Sequence, residues 1–422
     1  MTDAGLAVAG AVGLTMVVGV DTEHNVDYQA FPLLFFMLTV GLVFLGSFRA
    51  RLSARRVLPR FATAGTPMTF SVTVSNHSKR VQRGVTLLEQ LADPLPSFQE
   101  WHAVQAYKDR TMRSFRIEQR QRMSPFNHAR IKEASVPPVP PGEDVQVQLQ
   151  YTPTRRGVLR FKEVLLSRTD PLGLFRSFVR VRLPQSLLVL PKRYRVPPIA
   201  LPGAMKYQQG GVAMASSVGQ SDEFAALRDY RHGDPIRHIH WRSWARVGRP
   251  VVKEFEDENF VRHALVLDTY ADTDHGEIFE EAVSVAASFA CSIQTQESLL
   301  DLLFVGAESY CFTSGRGLAH GDQMLEILAS VRACRQRSFA ALESLVVQHA
   351  LSVSGCICVL IAWNKERQDF VRKLRLLGVP MLVLLVTAPG TRRPDPGPMR
   401  DQPENFHVLE VGKIQEGLLA LG

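Results

Sequence analysis

Two places in this 422-residue chain carry carboxylates and imidazoles of the types and spacing that metal-assisted chemistry needs. His238 and His240 stand two apart, so on a strand both rings would leave the same face and could reach one ion. Only His232 and Asp234 are close enough in sequence to complete that set, and no C-x-x-C or H-E-x-x-H accompanies them. The second place is Asp268. Apolar residues Ala264 to Leu267 read as a buried strand that delivers this carboxylate to its C-terminal edge, with Asp272 four positions on. Asp268, Asp272, His238 and His240 would together make a metal-assisted hydrolase, the ion activating a water. A structural reading stands beside it: an imidazole bonds a neighbouring carboxylate while Trp241 and Trp244 pack against the next domain. There is no nucleophile elbow, P-loop or dinucleotide fingerprint, and Thr313-Ser-Gly-Arg-Gly is too short to cradle phosphates.

The stretch from Ser221 to Glu258 is dense in charged and aromatic residues. Seven basic side chains (Arg228, Arg231, Arg237, Arg242, Arg246, Arg249, Lys253) meet eight acidic ones (Asp222, Glu223, Asp229, Asp234, Glu254, Glu256, Asp257, Glu258). Such near-balance predicts internal ion pairs that hold one conformation rather than a field for an anionic partner.

Within it, Tyr230-Arg-His-Gly-Asp234, Arg237, Ile239-His-Trp241, Ala245-Arg246, Gly248 and Val252-Lys-Glu-Phe-Glu256 resemble the bacterial domain of unknown function 58 family. Upstream, Asp170-Pro-Leu-Gly-Leu-Phe-Arg176 resembles that family's aspartate-proline-phenylalanine-glycine turn, with Leu172 in place of the usual Phe. The resemblance, which extends over essentially the whole chain, implies a structural or interaction role for Tyr230, Gly233, Asp234, Arg237, His240, Trp241, Ala245, Arg246, Gly248, Lys253 and Glu256. It also implies a C-terminal domain similar to the von Willebrand factor type A fold, whose Asp-x-Ser-x-Ser turn holds a divalent cation. Here the matching positions are Asp268-Thr-Tyr270-Ala-Asp272, so both serine hydroxyls are missing. Asp272 could still offer oxygen to Mg²⁺ or Ca²⁺, with Thr313 as a further ligand, but the added carboxylate changes the charge and Tyr270 is a poor ligand. Family members commonly occur beside MoxR-type AAA+ ATPases. The resemblance therefore implies a non-catalytic membrane scaffold or adaptor acting through protein contacts with such an ATPase.

The elements that must position these residues follow from patterning. Residues Ala4 to Val20 and Phe31 to Phe48 carry no charge, and each just reaches the lower limit of about 17 apolar residues for crossing a bilayer. Their connector holds Asp21, Glu23, His24 and Asp27, whereas Arg49, Arg51, Arg55, Arg56 and Arg60 follow the second run. That asymmetry predicts a hairpin in a bacterial inner membrane, with helices at about 4–20 and 31–48 and both the N-terminus and the later domains cytoplasmic. The arginines would then face lipid headgroups. The first run is short and Gly-rich, as it would be if the true start lay upstream of Met1.

After residues 1–56, the period-two run Met68, Phe70, Val72, Val74 and the alternation from Val145 to Tyr151 predict a small antiparallel sandwich over 57–195, with further strands at Val158 to Leu166 and Ser186 to Leu190. Residues 196–260 read as linker and signature. Over 261–422, strands alternate with helices, which predicts a parallel sheet covered on both faces, ligands binding beyond its carboxyl edge. The expected fold class is thus a multi-domain membrane protein with an antiparallel β-sandwich-like domain and a C-terminal α/β domain.

The formal net charge of +8 raises nucleic-acid binding. The basic stretch from Gln99 to Lys132 has few interleaved aromatics and is interrupted by acids, so it reads as a solvated loop or a surface near anionic lipid, and no nucleic acid is expected. The five cysteines (Cys291, Cys311, Cys334, Cys356, Cys358) have no recurring spacing and point to a reducing compartment rather than a disulfide framework. Cys356 and Cys358, inside an apolar run, read as buried strand residues.

Overall fold

The structure, a computed structural model, describes residues 1–18, 25–47, 50–92, 128–197, 224–232, 234, 236, 239–255, 261–271, 276–292, 298–314, 318–350 and 352–421. It divides into two compact units. Unit one is Met1–Lys192 with Leu325–Val331, and unit two is Arg193–Met324 with Arg332–Gly422.

Unit one opens with helices α1 (Asp3–Val18) and α2 (Asn25–Ser47). The expected membrane hairpin is corrected here: among the described residues no helix is long and apolar enough to cross a membrane. At 1.5 Å per residue the 16 residues of α1 rise about 24 Å, short of the roughly 30 Å of a hydrocarbon core. Helix α2 opens on Asn25, Asp27 and Gln29 and carries Pro32, which has no N–H to bond within the helix. The predicted multi-domain membrane fold and two-pass inner-membrane localisation fall with this finding, and the chain is a mixed α/β protein. The helices instead rest on a β-turn of their own unit. Thr2 donates from its N–H to Leu174 O (3.0 Å) and from its Oγ1 to Gly173 O (2.6 Å). Gly5 lies against the Leu174 carbonyl and Gly41 against the Phe175 ring, while Ser177 Oγ donates to Leu45 O (3.1 Å). Leu14, Val17, Phe36 and Val43 stay exposed on the helices.

Among the described residues nine strands follow: β1 (Leu52–Val57), β2 (Phe61–Thr63), β3 (Met68–Asn76), β4 (Val85–Leu91), β5 (Ala129–Ile131), β6 (Ala134–Val136), β7 (Asp144–Pro153), β8 (Gly157–Thr169) and β9 (Arg176–Leu190). One sheet has the order β1-β3-β7-β5, the other β2-β9-β8-β4-β6. All pairings are antiparallel except β2 with β9. Alternation along β7 buries Val147, Leu149 and Tyr151 on one face, as a half-buried strand requires. The two sheets share one core, in which Phe70 of β3 meets Tyr151 at 5.2 Å and Phe161 of β8 at 5.6 Å, edge to face.

The basic cluster is corrected as well. Arg56 lies inside β1, only 3% exposed, and does not reach solvent. Its guanidinium bonds both carboxylate oxygens of Glu89, donates to Leu183 O (2.9 Å) and sits 4.6 Å over the Phe161 ring. Period two, which puts Arg55 outward, puts Arg56 inward, so it is a core ion pair.

Unit two is built on a six-stranded sheet of β12 (Val261–Leu267), β13 (Ser298–Val305), β14 (Ser309–Ser314), β15 (Gly355–Leu360), β16 (Met381–Thr387) and β17 (Phe406–Glu410). Its order is β14-β13-β12-β15-β16-β17, parallel apart from the antiparallel edge strand β14. The helices are α4 (Glu277–Ser292), α6 (Ala340–His349), α7 (Lys365–Leu376) and α8 (Ile414–Leu419), with the first part of α5 (Leu318–Ser330), whose residues from Leu325 on fall in unit one; α3 belongs to the signature segment below. Strands buried on both faces need continuous apolar runs, and β15 and β16 supply them: all six residues of β15 are buried. From β12 the chain passes to β13 on one side and later returns to β15 on the other. The carboxyl end of β12 is therefore the point where strand order reverses, the place where open α/β sheets form a crevice.

Candidate functional site

Two parts of unit two gather the residues singled out by sequence. The first is the signature. Strands β10 (Phe224–Asp229) and β11 (Val251–Phe255) pair antiparallel, and α3 (Trp241–Val247) lies between them in sequence. Tyr230 N–H donates to Pro250 O (3.0 Å) and His240 N–H to Val251 O (2.8 Å), which closes the connection onto the ladder. Arg228 grips Asp234 with two parallel bonds, Nη1 to Oδ2 at 2.7 Å and Nη2 to Oδ1 at 2.8 Å. The Arg231 N–H also donates to Asp234 Oδ2 (2.8 Å). These bonds, the Arg228 pair foremost, hold the Asp234 carboxyl down at about 2. Gly248, at φ 73°, ends α3 in the left-handed region and donates to Trp244 O (2.9 Å), a cap that a residue with a Cβ adopts at a cost.

The side chains of α3 do not pack inward, and none of its residues is buried. Trp241 is 61% exposed and stacks on Trp244, ring centroids 5.2 Å apart, so the expected packing of both tryptophans against a next domain is replaced by packing on each other. Among the described residues His240 bonds no carboxylate: its Nδ1 meets Ser243 Oγ (2.7 Å), because the helix that begins at Trp241 brings the residue three positions on beneath it. Ala245 and Arg246 are exposed, and Lys253 is partly buried on β11. Gly233, Arg237, His238 and Glu256 lie outside the described residues, as does most of the basic stretch from Gln99 to Lys132.

The second part is the carboxyl edge of β12. Asp268 is fully buried there, and each of its oxygens already has two donors. Oδ1 accepts from Tyr270 N–H (3.0 Å) and Arg367 Nη2 (3.3 Å), and Oδ2 from Arg367 Nε (3.1 Å) and Ile361 N–H (3.4 Å). Burial pushes the Asp268 carboxyl up, and the Arg367 charge and these bonds pull it back. Arg367 comes from the first turn of α7, whose N-cap Asn364 accepts the Arg367 N–H (3.2 Å). Its guanidinium lies 4.4 Å over the Phe339 ring.

Thr313 is elsewhere. Its hydroxyl donates to Asp301 Oδ1 (2.7 Å), and Arg262 Nε to Asp301 Oδ2 (2.6 Å). Asp301 is opposite Ala264, four residues before Asp268, or about 13 Å along the strand at 3.3 Å per residue. The structure therefore brings Asp268 to a strand edge as expected but separates it from Thr313, while Asp272 lies outside the described residues. The described residues around Asp268 do not fit a divalent cation. Such an ion wants six or more oxygens, and the carboxylate's neighbours are N–H donors with a guanidinium in front of it. The hydroxyl of Thr269 is spent as well, donating to Val305 O. Among the described residues no group of three or more His, Cys, Asp or Glu side chains could hold a metal.

Sequence reasoning passed over Arg367. A signal was present: Arg367, Phe370, Val371 and Leu374 recur at i, i+3, i+4 and i+7, and all four are buried. An arginine on the apolar stripe of a helix needs a buried acid, and Asp268 is that acid.

Residues 226–414 match the model of a family described as "Protein of unknown function DUF58". A Bacillus subtilis (strain 168) relative, described as "Uncharacterized protein YeaD", is 30% identical over 176 residues, which is 41% of this chain and 42% of that protein. The chain thus spans less than half the length of this curated relative. Among solved structures, the CARDB domain of a Pyrococcus furiosus protein is similar at 12% identity and TM-score 0.19, over 33% of this chain and 94% of that one. A PapD-like domain of human CEP192 aligns at 9% identity and TM-score 0.17, over 33% and 86% of the two chains. Scores this low carry no argument about fold.

Proposed function

The chain belongs to the DUF58 family through residues 226–414, and from that premise we propose that it is a non-catalytic scaffold or adaptor working through protein–protein contacts with a MoxR-type AAA+ ATPase. The observation that carries this reading is that the signature is a held surface rather than a reaction site. Trp241, Ile236 and Val247 are 61%, 68% and 55% exposed, although the backbone that presents them is fixed by the Arg228–Asp234 pair and the Gly248 cap. Exposed apolar side chains on a rigid support mark interaction sites, and Trp and Arg are the residues that most often dominate interface energy. Arg242 and Arg246 are exposed on the same short helix, so the complementary surface is acidic with an apolar centre. The named ATPase class comes from the family resemblance.

The test is retention of a purified MoxR-type ATPase by the immobilised full chain in the presence of ATP. Trp241→Ala is expected to weaken retention about tenfold or more with the melting temperature unchanged, since the side chain it removes is exposed. Failure of the wild-type chain to retain the ATPase with ATP bound, across the salt range, would count decisively against the proposal.

A further inference from the structure

We infer that Arg367 is a built-in cation: its guanidinium permanently takes the bonding positions of Asp268, so the carboxyl edge of the unit-two sheet is organised without a divalent ion and is closed to Mg²⁺ and Ca²⁺ at Asp268. This is independent of the scaffold reading, since it concerns how the edge is held, not what it meets.

Asp268 is 0% exposed and the Arg367 side chain 7%, so neither charge is solvated. A buried carboxylate needs a counter-charge and several donors, and one guanidinium supplies both. Two of its nitrogens bond the two Asp268 oxygens, and the third faces Asn364 Oδ1 (3.5 Å) and Glu366 Oε2 (3.2 Å). The cation also lies on the Phe339 ring, which fixes its plane. An incoming hydrated ion would have to expel this group, shed its own water, and find, among the described residues, only the two oxygens of one acid at Asp268. Mg²⁺ in particular demands near-octahedral oxygen geometry and dehydrates reluctantly. The geometry excludes the exchange.

The same guanidinium joins segments that are distant in sequence. It ties the end of β12 to the start of α7, while Ile361 N–H brings in the end of β15 and Phe339 the residue before α6. Tyr270, whose N–H holds Asp268, bonds Ser338 O through its hydroxyl (2.8 Å). Arg367 is thus a positioning residue for the loops of this edge, the work that a bound ion does where an aspartate is left open.

Two measurements on the full chain decide the matter. In the first, Mn²⁺ is titrated and followed by electron paramagnetic resonance, and melting is compared with Mg²⁺, Ca²⁺ or EDTA. The wild-type melting temperature should move by less than about 1 °C, as expected when a ligand does not bind the folded state. Mn²⁺ binding that the Asp268→Asn variant abolishes overturns the inference. In the second, Arg367→Gln should melt about 10 °C lower, because it strands a buried carboxylate. The charge-neutral double variant Asp268→Asn/Arg367→Gln should recover about half of that loss, and it replaces Asp268→Asn as the metal-binding reference if the single variant does not fold. An Arg367→Gln variant that melts within about 2 °C of wild type also overturns the inference, for the guanidinium would then organise nothing.

Discussion

Two acidic residues show how partner and burial set charge behaviour in this protein. Asp234 sits at the surface of the signature with its carboxyl held at about 2, chiefly by the bidentate bond from Arg228 and then by the Arg231 N–H. Its folded value lies below the ordinary carboxylate value of about 3.9, so the bond contributes stability that is complete above that value and is lost as pH falls towards about 2. A carboxyl NMR titration should show this low midpoint, and Arg228→Ala should return it to the ordinary range. An unchanged midpoint in the variant would refute the assignment. Glu89 is the opposite case. Burial raises its carboxyl, and Arg56 offsets that shift through a side-chain bond and its charge. Both side chains are fully buried, so Glu89→Ala leaves an uncompensated guanidinium in the unit-one core. The expected cost is about 3–5 kcal/mol of stability, read from urea denaturation. A loss below about 1 kcal/mol would place Arg56 in water instead.

Among the elements, the contact of α1 with the Asp170–Phe175 turn is governed by the absence of a side chain. Asp170 builds the turn itself, its Oδ1 accepting from Phe175 N–H (2.6 Å) and its backbone carbonyl from Gly173 N–H (3.0 Å). The Leu174 carbonyl then approaches so closely that a Cβ at Gly5 would collide with it. A backbone atom cannot swing away as a side-chain tip can. Gly5→Ala should therefore undock the first turn of α1, seen as faster hydrogen exchange at the Thr2 amide, which donates to Leu174, with β8 and β9 protection unchanged. Unaltered exchange at Thr2 would show that the helix start tolerates a methyl group.

For the molecule as a whole, the two units can be followed separately because all five cysteines lie in unit two. Cys334, Cys356 and Cys358 are buried, the last two with their sulfurs 3.5 Å apart in β15, and the Cys356 contact, together with burial, raises the Cys358 thiol well above its ordinary value. In native protein these three thiols should resist alkylation, while exposed Cys311 reacts. Stepwise urea should release them together, at the midpoint of the unit-two transition. Release of Cys356 and Cys358 well before that transition would mean that the parallel sheet opens locally.

What could be read from the chain alone were features set by local repetition. The period-two run around Phe70 and the continuous apolar strand ending at Asp268 each depend on near neighbours only, so these strands fell close to their observed places. The family signature was equally legible, as a string of residue types. Tertiary structure decided the rest, because charge and exposure depend on what lies across space. It put Arg56 against Glu89, some thirty positions away, rather than at a membrane surface. It placed Arg367, ninety-nine positions from Asp268, where a cation had been expected. And it showed two apolar helices neither of which is long and apolar enough to cross a membrane, one of them starting on a turn more than 170 residues away. Hydropathy counts apolar residues; it does not register that small ones such as Gly5 and Gly41 are placed for close contact with protein.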